Sequence, residues 1–196
     1  MRRGFSAASW CFDEGGPVIY SELEIPGAFR IIPEQHGDER GFFARSWDRE
    51  EFARHGLNPT LVQCSISWNK RAGTLRGMHY QDPPFQEAKL VRVTRGSVHD
   101  VVLDLREGLP TYGRHEGVLL TSDNREMVYV PEGCGHGFLT LEDDTEVFYQ
   151  MSEYYSAEHA RGVRWDDPAF AIRWPGTISV MSDRDRSFPD VKAGLR

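Results

Sequence analysis

Residues 61–152 form a succession of short apolar runs: LVQCSISW, TLRGMHYQ, AKLVRVTRG, SVHDVVLDLR, RHEGVLLTS, REMVYVPEG, HGFLTLE and TEVFYQMS. Each is rich in β-branched or aromatic residues and ends in a Gly, Pro, Asp or Asn signal. Short strands at fairly even intervals, punctuated by turns, define an all-β sandwich or barrel. No helical period of useful length interrupts them, which argues against a parallel α/β sheet.

The flanks add little regular structure. Residues 1–20 are expected to be a mobile N-terminal segment and residues 21–196 one domain, a size that buries a real core. EIPGAFRIIPEQHGDERGFFARSW reads as strand, polar loop (EQHGDER), strand. In SWDREEFARHGL, Asp48 and Glu51 have capping-box spacing, Phe52 supplies an apolar face and Gly56 a stop, so one short helix is expected. A second helix-like patch, SAEHARG, precedes turn-rich WDDPAF and IRWP.

Composition narrows the partners. A net charge of −7 argues against a nucleic-acid footprint, while an anionic ligand requires only that its site carry its own Arg and Lys. Cys11, Cys64 and Cys134 are an odd set without CxxC spacing, which suits a reducing compartment, the cytoplasm. Met1-Arg2-Arg3 starts like a secretory signal, but GFSAASWCFDEGG supplies no apolar core. No apolar run reaches the ~18 residues that a membrane span needs, so no membrane association is expected.

Chemistry concentrates in residues 73–96, GTLRGMHYQDPPFQEAKLVRVTRG, where polar and titratable groups interrupt apolar strand patterns. Strand alternation puts Leu75, Gly77, His79 and Gln81 on one face and Arg76, Met78 and Tyr80 on the other. A bulge would let Arg76 reach the mouth of a site. His79 is on these grounds either a satisfied core imidazole or a titrating group of a site.

Gly73, His79, Gln81, Glu87 and Gly96, followed by Pro131, Gly133 and His136 in VPEGCGHGF, resemble the two cupin motifs, hairpins lining a jelly-roll barrel. The second His of the metal-binding first motif is here Gln81, a poor ligand for a transition metal. His79, Glu87 and His136 remain as a weak facial set.

A longer ordered series, DERGFF, LRGMHYQ, AKLVRVTRGSVHDVVLDLR, PTYG, VPEGCGHGF, VFYQMSEYYSAEH, RGVRWDDP, IRWP and MSDRD, is similar to the dTDP-4-dehydrorhamnose 3,5-epimerase family of nucleotide-sugar epimerases over residues 22–189. The resemblance implies a cupin-type jelly-roll barrel with a few short peripheral helices. It also implies inversion of C3 and C5 of a nucleotide-linked, dTDP-type 4-keto-6-deoxy sugar in rhamnose-type deoxysugar synthesis, with no cofactor and no metal. Hydrogens beside a ketone are acidic because the carbanion delocalises into an enolate. Inversion therefore needs a base on one face, an acid on the other and a group that holds the enolate oxygen.

By the same resemblance His79 is the base, Asp185 orients it, Lys89 stabilises the oxyanion and Tyr149 is the acid. Each has a plainer competing role: Lys89 as a snorkelling strand residue, Tyr149 as a core aromatic, Asp185 as a turn former. Arg40 and Arg76 are matched diphosphate partners, Phe43 a base-stacking ring and Gln63 a nucleotide contact. In the family the segment matching DERGFF serves the neighbouring subunit's nucleotide, which implies a homodimer with shared sites. His136 and Tyr155 match residues beside the sugar.

Departures from the family pattern are Ser65 in place of Asn, Arg45 in place of Glu, Cys134-Gly135 before His136 and Gln150 in place of Lys. They leave the acid–base set intact and open the choice of nucleotide, of sugar and of one inversion or two. Alternatives are a 3-epimerase, a 3,4-ketoisomerase, a metal-dependent cupin oxygenase and a non-catalytic sugar-binding cupin. A Cys134 nucleophile beside His136 is a further, weaker option.

Overall fold

The chain crosses repeatedly between two antiparallel sheets. The computed structural model describes residues 18–191. In chain order the strands are β1 (Ile19–Glu22), β2 (Phe29–Ile32), β3 (His36–Asp38), β4 (Gly41–Phe43), β5 (Gln63–Asn69), β6 (Leu75–Gln81), β7 (Lys89–Arg95), β8 (Ser97–Asp104), β9 (His115–Thr121), β10 (Met127–Val130), β11 (Cys134–Thr140), β12 (Thr145–Met151) and β13 (Ala160–Gly162). Two short helices, α1 (Arg49–Arg54) and α2 (Asp183–Arg186), lie outside the sheets.

One sheet has the order β1-β2-β10-β7-β12-β5, the other β13-β6-β11-β8-β9, and β3-β4 is a separate hairpin. This is the all-β jelly-roll arrangement expected, and the apolar runs of residues 61–152 supply β5 to β12. Alternation gives the core. Val91, Val93, Val128, Val130 and Val147 of the first sheet pack with Val98, Val102, Val118, Leu120 and Phe138 of the second. Helix α1 forms as its residues dictate: the Asp48 carboxylate caps Glu50 N at 2.9 Å and Glu51 N at 3.1 Å, and Gly56 ends it at φ +72°. Its Phe52 is buried beside Ile31, Leu90 and Tyr129, a burial worth about 2 kcal/mol.

Three local expectations change. SAEHARG makes one turn, with Ala160 N on Ser156 O at 2.9 Å, and then becomes strand β13, paired with β6 through Ala160↔Gln81 and Gly162↔His79. The open edge of β6 outweighs local helix propensity. The polar loop EQHGDER is itself part of the β3-β4 hairpin, its turn fastened by Arg40 N donating to Asp38 Oδ1 at 2.8 Å. Helix α2 was not expected; Ser182 caps it by accepting from Asp185 N at 3.0 Å. At the N-terminus, β1 starts at Ile19, before the expected boundary at residue 21. Residues 1–17, which hold the rest of the segment expected to be mobile, lie outside the described residues, as does Cys11.

Candidate active site

A cavity of about 350 Å³ opens between the two sheets. Strand β6 reaches it with Arg76, His79 and Gln81, β7 with Lys89, β11 with His136, and β12 with Tyr149. Strict alternation would send Arg76 and His79 to opposite faces. The register between β6 and β11 shifts between His136 and Phe138, and Gly77 takes φ +131°, so both side chains enter the cavity. A Cβ at Gly77 would lie 2.5 Å from Gly137 Cα and 2.9 Å from His136 O, so the close approach of these strands requires glycine. Met78 instead joins the buried cluster of Val101, Leu103 and Phe170.

His79 Nε2 donates to Asp185 Oδ1 at 2.8 Å. That contact places the imidazole proton on Nε2 and leaves the Nδ1 lone pair as the basic position. Asp185, 4% exposed, also accepts from Gly77 N at 3.2 Å. Burial pushes the Asp185 carboxyl up, but the His79 hydrogen bond and charge, the Gly77 N–H and the link to Ser182 outweigh it. The group sits below the ordinary carboxylate range. Asp185 is thus more than a turn former.

Tyr149 belongs to the other sheet. Its ring meets that of His136 edge-on, with centroids 6.0 Å apart and planes at 83°. Burial, then the Asp100 charge, raise the phenol far above its ordinary value, and Arg76 partly opposes them. The phenol is therefore neutral near neutral pH. Lys89 is 7% exposed, which removes the snorkelling reading. Its Nζ stands 2.9 Å from Glu87 Oε1 and donates to His79 O at 3.3 Å. His136 Nε2 donates to Asp100 Oδ2 at 2.8 Å in a buried pair.

The expected binding residues divide into two groups. Gln63, Ser65, Arg76, His136 and Tyr155 line the cavity. Arg76 Nε donates to Asn69 Oδ1 at 2.7 Å, and Gln63 Oε1 accepts from Tyr155 N at 3.1 Å. Arg40 and Phe43 do not line it; they sit on the β3-β4 hairpin, where Arg40 Nε donates to Asp38 Oδ2 at 3.0 Å. Arg45, the charge reversal, is paired with Asp48 at 3.4 Å and is also absent from the cavity wall.

Sequence reasoning missed Asp100, Arg161 and Arg184. Asp100 carried a usable signal: it stands between Val98 and Val102 at period two, an acidic residue on a core-facing register. Arg161 and Arg184 line the cavity from β13, a segment expected to be helical, and from α2, which was not expected.

The facial metal set is corrected by its contacts. His79 and His136 each direct Nε2 at a carboxylate, and Glu87 faces Lys89. Among the described residues no group of three or more His, Cys, Asp or Glu is placed to hold a metal ion. Gln81 is a clip: its Nε2 donates to Phe85 O at 2.8 Å and Tyr154 O at 3.1 Å, and its Oε1 accepts from Ser156 N at 2.6 Å. Cys134 is 3% exposed and burial pushes its thiol up to about 12, against the pull of Arg106, which removes the nucleophile option.

A two-sheet barrel with a carboxylate-paired imidazole on one wall of its cavity and a half-buried phenol on the other defines a protein of the cupin class. The family model described as dTDP-4-dehydrorhamnose 3,5-epimerase matches residues 22–193. The chain belongs to that family and is an epimerase, of the isomerase class. It is 42% identical over 175 residues to a dTDP-4-dehydrorhamnose 3,5-epimerase of Sinorhizobium fredii, covering 89% of this chain and 90% of that one. The Bacillus anthracis enzyme of the same name, solved with TDP and PPi bound, superposes with a TM-score of 0.86 at 39% identity, covering 89% of this chain and 100% of that one. ChmJ, a 3'-monoepimerase from Streptomyces bikiniensis solved with dTDP-quinovose, gives a TM-score of 0.79 at 35% identity, covering 86% and 85%.

Proposed function

We propose that the chain inverts C3 and C5 of a dTDP-linked 4-keto-6-deoxy sugar in rhamnose-type deoxysugar biosynthesis. The carrying observation is that His79 and Tyr149 enter one cavity from strands of different sheets. In this reading His79 Nδ1 removes the hydrogen beside the ketone and the C–H electron pair moves into the enolate. Asp185 stabilises the imidazolium, and the Lys89 ammonium faces the enolate oxygen. Tyr149 then delivers its hydroxyl proton to the opposite face of the carbon, and exchange with solvent resets both groups. No step calls on a metal or a cofactor.

Arg76, Gln63, Ser65, His136 and Tyr155 hold the nucleotide and sugar, their place on the cavity wall supporting the role. Arg40 and Phe43 serve the site of a second copy in a homodimer with shared sites. Their position on a hairpin away from the chain's own cavity wall supports this, as do Ile66 and Trp68, 64% and 51% exposed on edge strand β5. The unpaired thiols of Cys64 and Cys134 suit the cytoplasm.

The test is solvent exchange. The protein is incubated with dTDP-4-keto-6-deoxyglucose in heavy water and the label is located by NMR. Deuterium at both flanking carbons is expected. Deuterium at C3 alone would assign a monoepimerase, and no incorporation would overturn the substrate assignment. Light scattering on the purified protein tests the dimer.

A further inference from the structure

A hydrogen bond to one nitrogen fixes one point of a ring and leaves it free to pivot. The His79 side chain is 40% exposed, and its bond to Asp185 is made through Nε2 alone. Its orientation needs a second contact. Among the described residues the aromatic ring that supplies it is Phe188, edge-on at a centroid distance of 6.0 Å and an interplanar angle of 73°.

Phe188 is itself held by an absence of side chain. Gly162 is the cross-strand partner of His79. A Cβ on Gly162 would lie 2.2 Å from Cε2 and 2.3 Å from Cζ of Phe188, so the phenyl ring occupies the space that any other residue would fill. Gly162 is not among the positive-φ glycines, so its backbone makes no demand for glycine and the requirement is one of room. The same ring carries the Arg184 guanidinium, whose central carbon is 5.8 Å from the ring centroid, and Arg184 lines the cavity.

We propose that Phe188, seated in the notch left by Gly162, is a positioning residue that holds the His79 imidazole in line with Asp185. The catalytic consequence rests on the assignment of His79 as base, because a misplacement of ~1 Å at a reacting group costs about 100-fold in rate. Phe188 does not line the cavity, so its influence passes through His79 and Arg184.

The test combines imidazole nitrogen NMR of His79 across pH with turnover, for the native protein, Phe188→Ala, Phe188→Tyr, Gly162→Ala and the Gly162→Ala/Phe188→Ala pair. In the native protein the Nε2–H tautomer is expected. Phe188→Ala and Gly162→Ala should each mix in the Nδ1–H tautomer, displace the titration midpoint and lower kcat about 10- to 100-fold with a smaller change in KM. Phe188→Tyr should restore the native spectrum and rate. Gly162→Ala should add less than about twofold once Phe188 is already Ala, since the clash has been removed. A Phe188→Ala protein with native tautomer and titration overturns the proposal, even if its melting temperature falls. A disturbed His79 spectrum with native turnover keeps the positioning role and overturns the assignment of His79 as base.

Discussion

The Nε2 of His79 and the Oδ1 of Asp185 are 2.8 Å apart in space and 106 residues apart in sequence. One is on an interior strand of the second sheet and the other on a four-residue helix after the last strand. The tail therefore completes the site, and Asp185 arrives with its carboxyl already fastened to the backbone N–H of Gly77.

His79→Ala and Tyr149→Phe should each lower kcat by about 10²–10⁴ while nucleotide affinity, measured by calorimetry with dTDP, stays near native. A variant that keeps the native rate removes that residue from the proton-transfer pair.

Acid should loosen the fold through two carboxylates. Burial pushes the Asp104 carboxyl up, but the Arg106 fork, at 2.9 and 2.7 Å, and the Thr111 hydroxyl, at 2.7 Å, outweigh it. Asp104 and Asp185 are thus both held below the ordinary value. A carboxylate with a lower pKa folded than unfolded stabilises the fold above the unfolded value of about 4. That contribution is lost as pH falls through the lowered folded value. Urea-unfolding free energy should fall below about pH 4, and Asp104→Asn and Asp185→Asn should each flatten the fall.

Gln81→Leu should cost about 1–3 kcal/mol, read as a lower urea midpoint. The change strands the Ser156 N–H and the Phe85 and Tyr154 carbonyls that Gln81 now satisfies. An unchanged midpoint would mean that water replaces all three bonds.

Cys134 should resist iodoacetamide at pH 8 in the native protein and react once the protein is unfolded. Burial both covers the thiol and pushes it up to about 12, so almost no thiolate is present. Peptide mass mapping before and after denaturation reads the result.

Strands whose alternation faces a core were legible in the sequence, and so were several of the side chains that line the cavity. Val91, Val93, Val128 and Val130 mark their strands by period two, and Asp48 marks a helix start. Local reasoning failed where a long-range partner decided. Strand β13 exists because β6 has an edge to offer, and α2 exists where Asp185 is anchored by Gly77. Arg76 shares a wall with His79 only because the backbone breaks register at Gly77, an event that depends on Gly137 across the strand. Asp100 was readable by its register, but a buried acid declares itself only once its imidazole partner is known.

The valine layer between the sheets has a role beyond holding them together. Tyr149 packs directly on it, and strands β8, β9 and β11 of the opposing sheet supply Val98, Val102, Val118, Leu120 and Phe138 to its other side. Valine methyl groups that do not line the cavity therefore help to set the spacing of the two sheets at Tyr149. Trimming Val102 or Val147 to Ala should therefore shift Tyr149 and lower turnover as well as the melting point, read by steady-state kinetics and thermal unfolding.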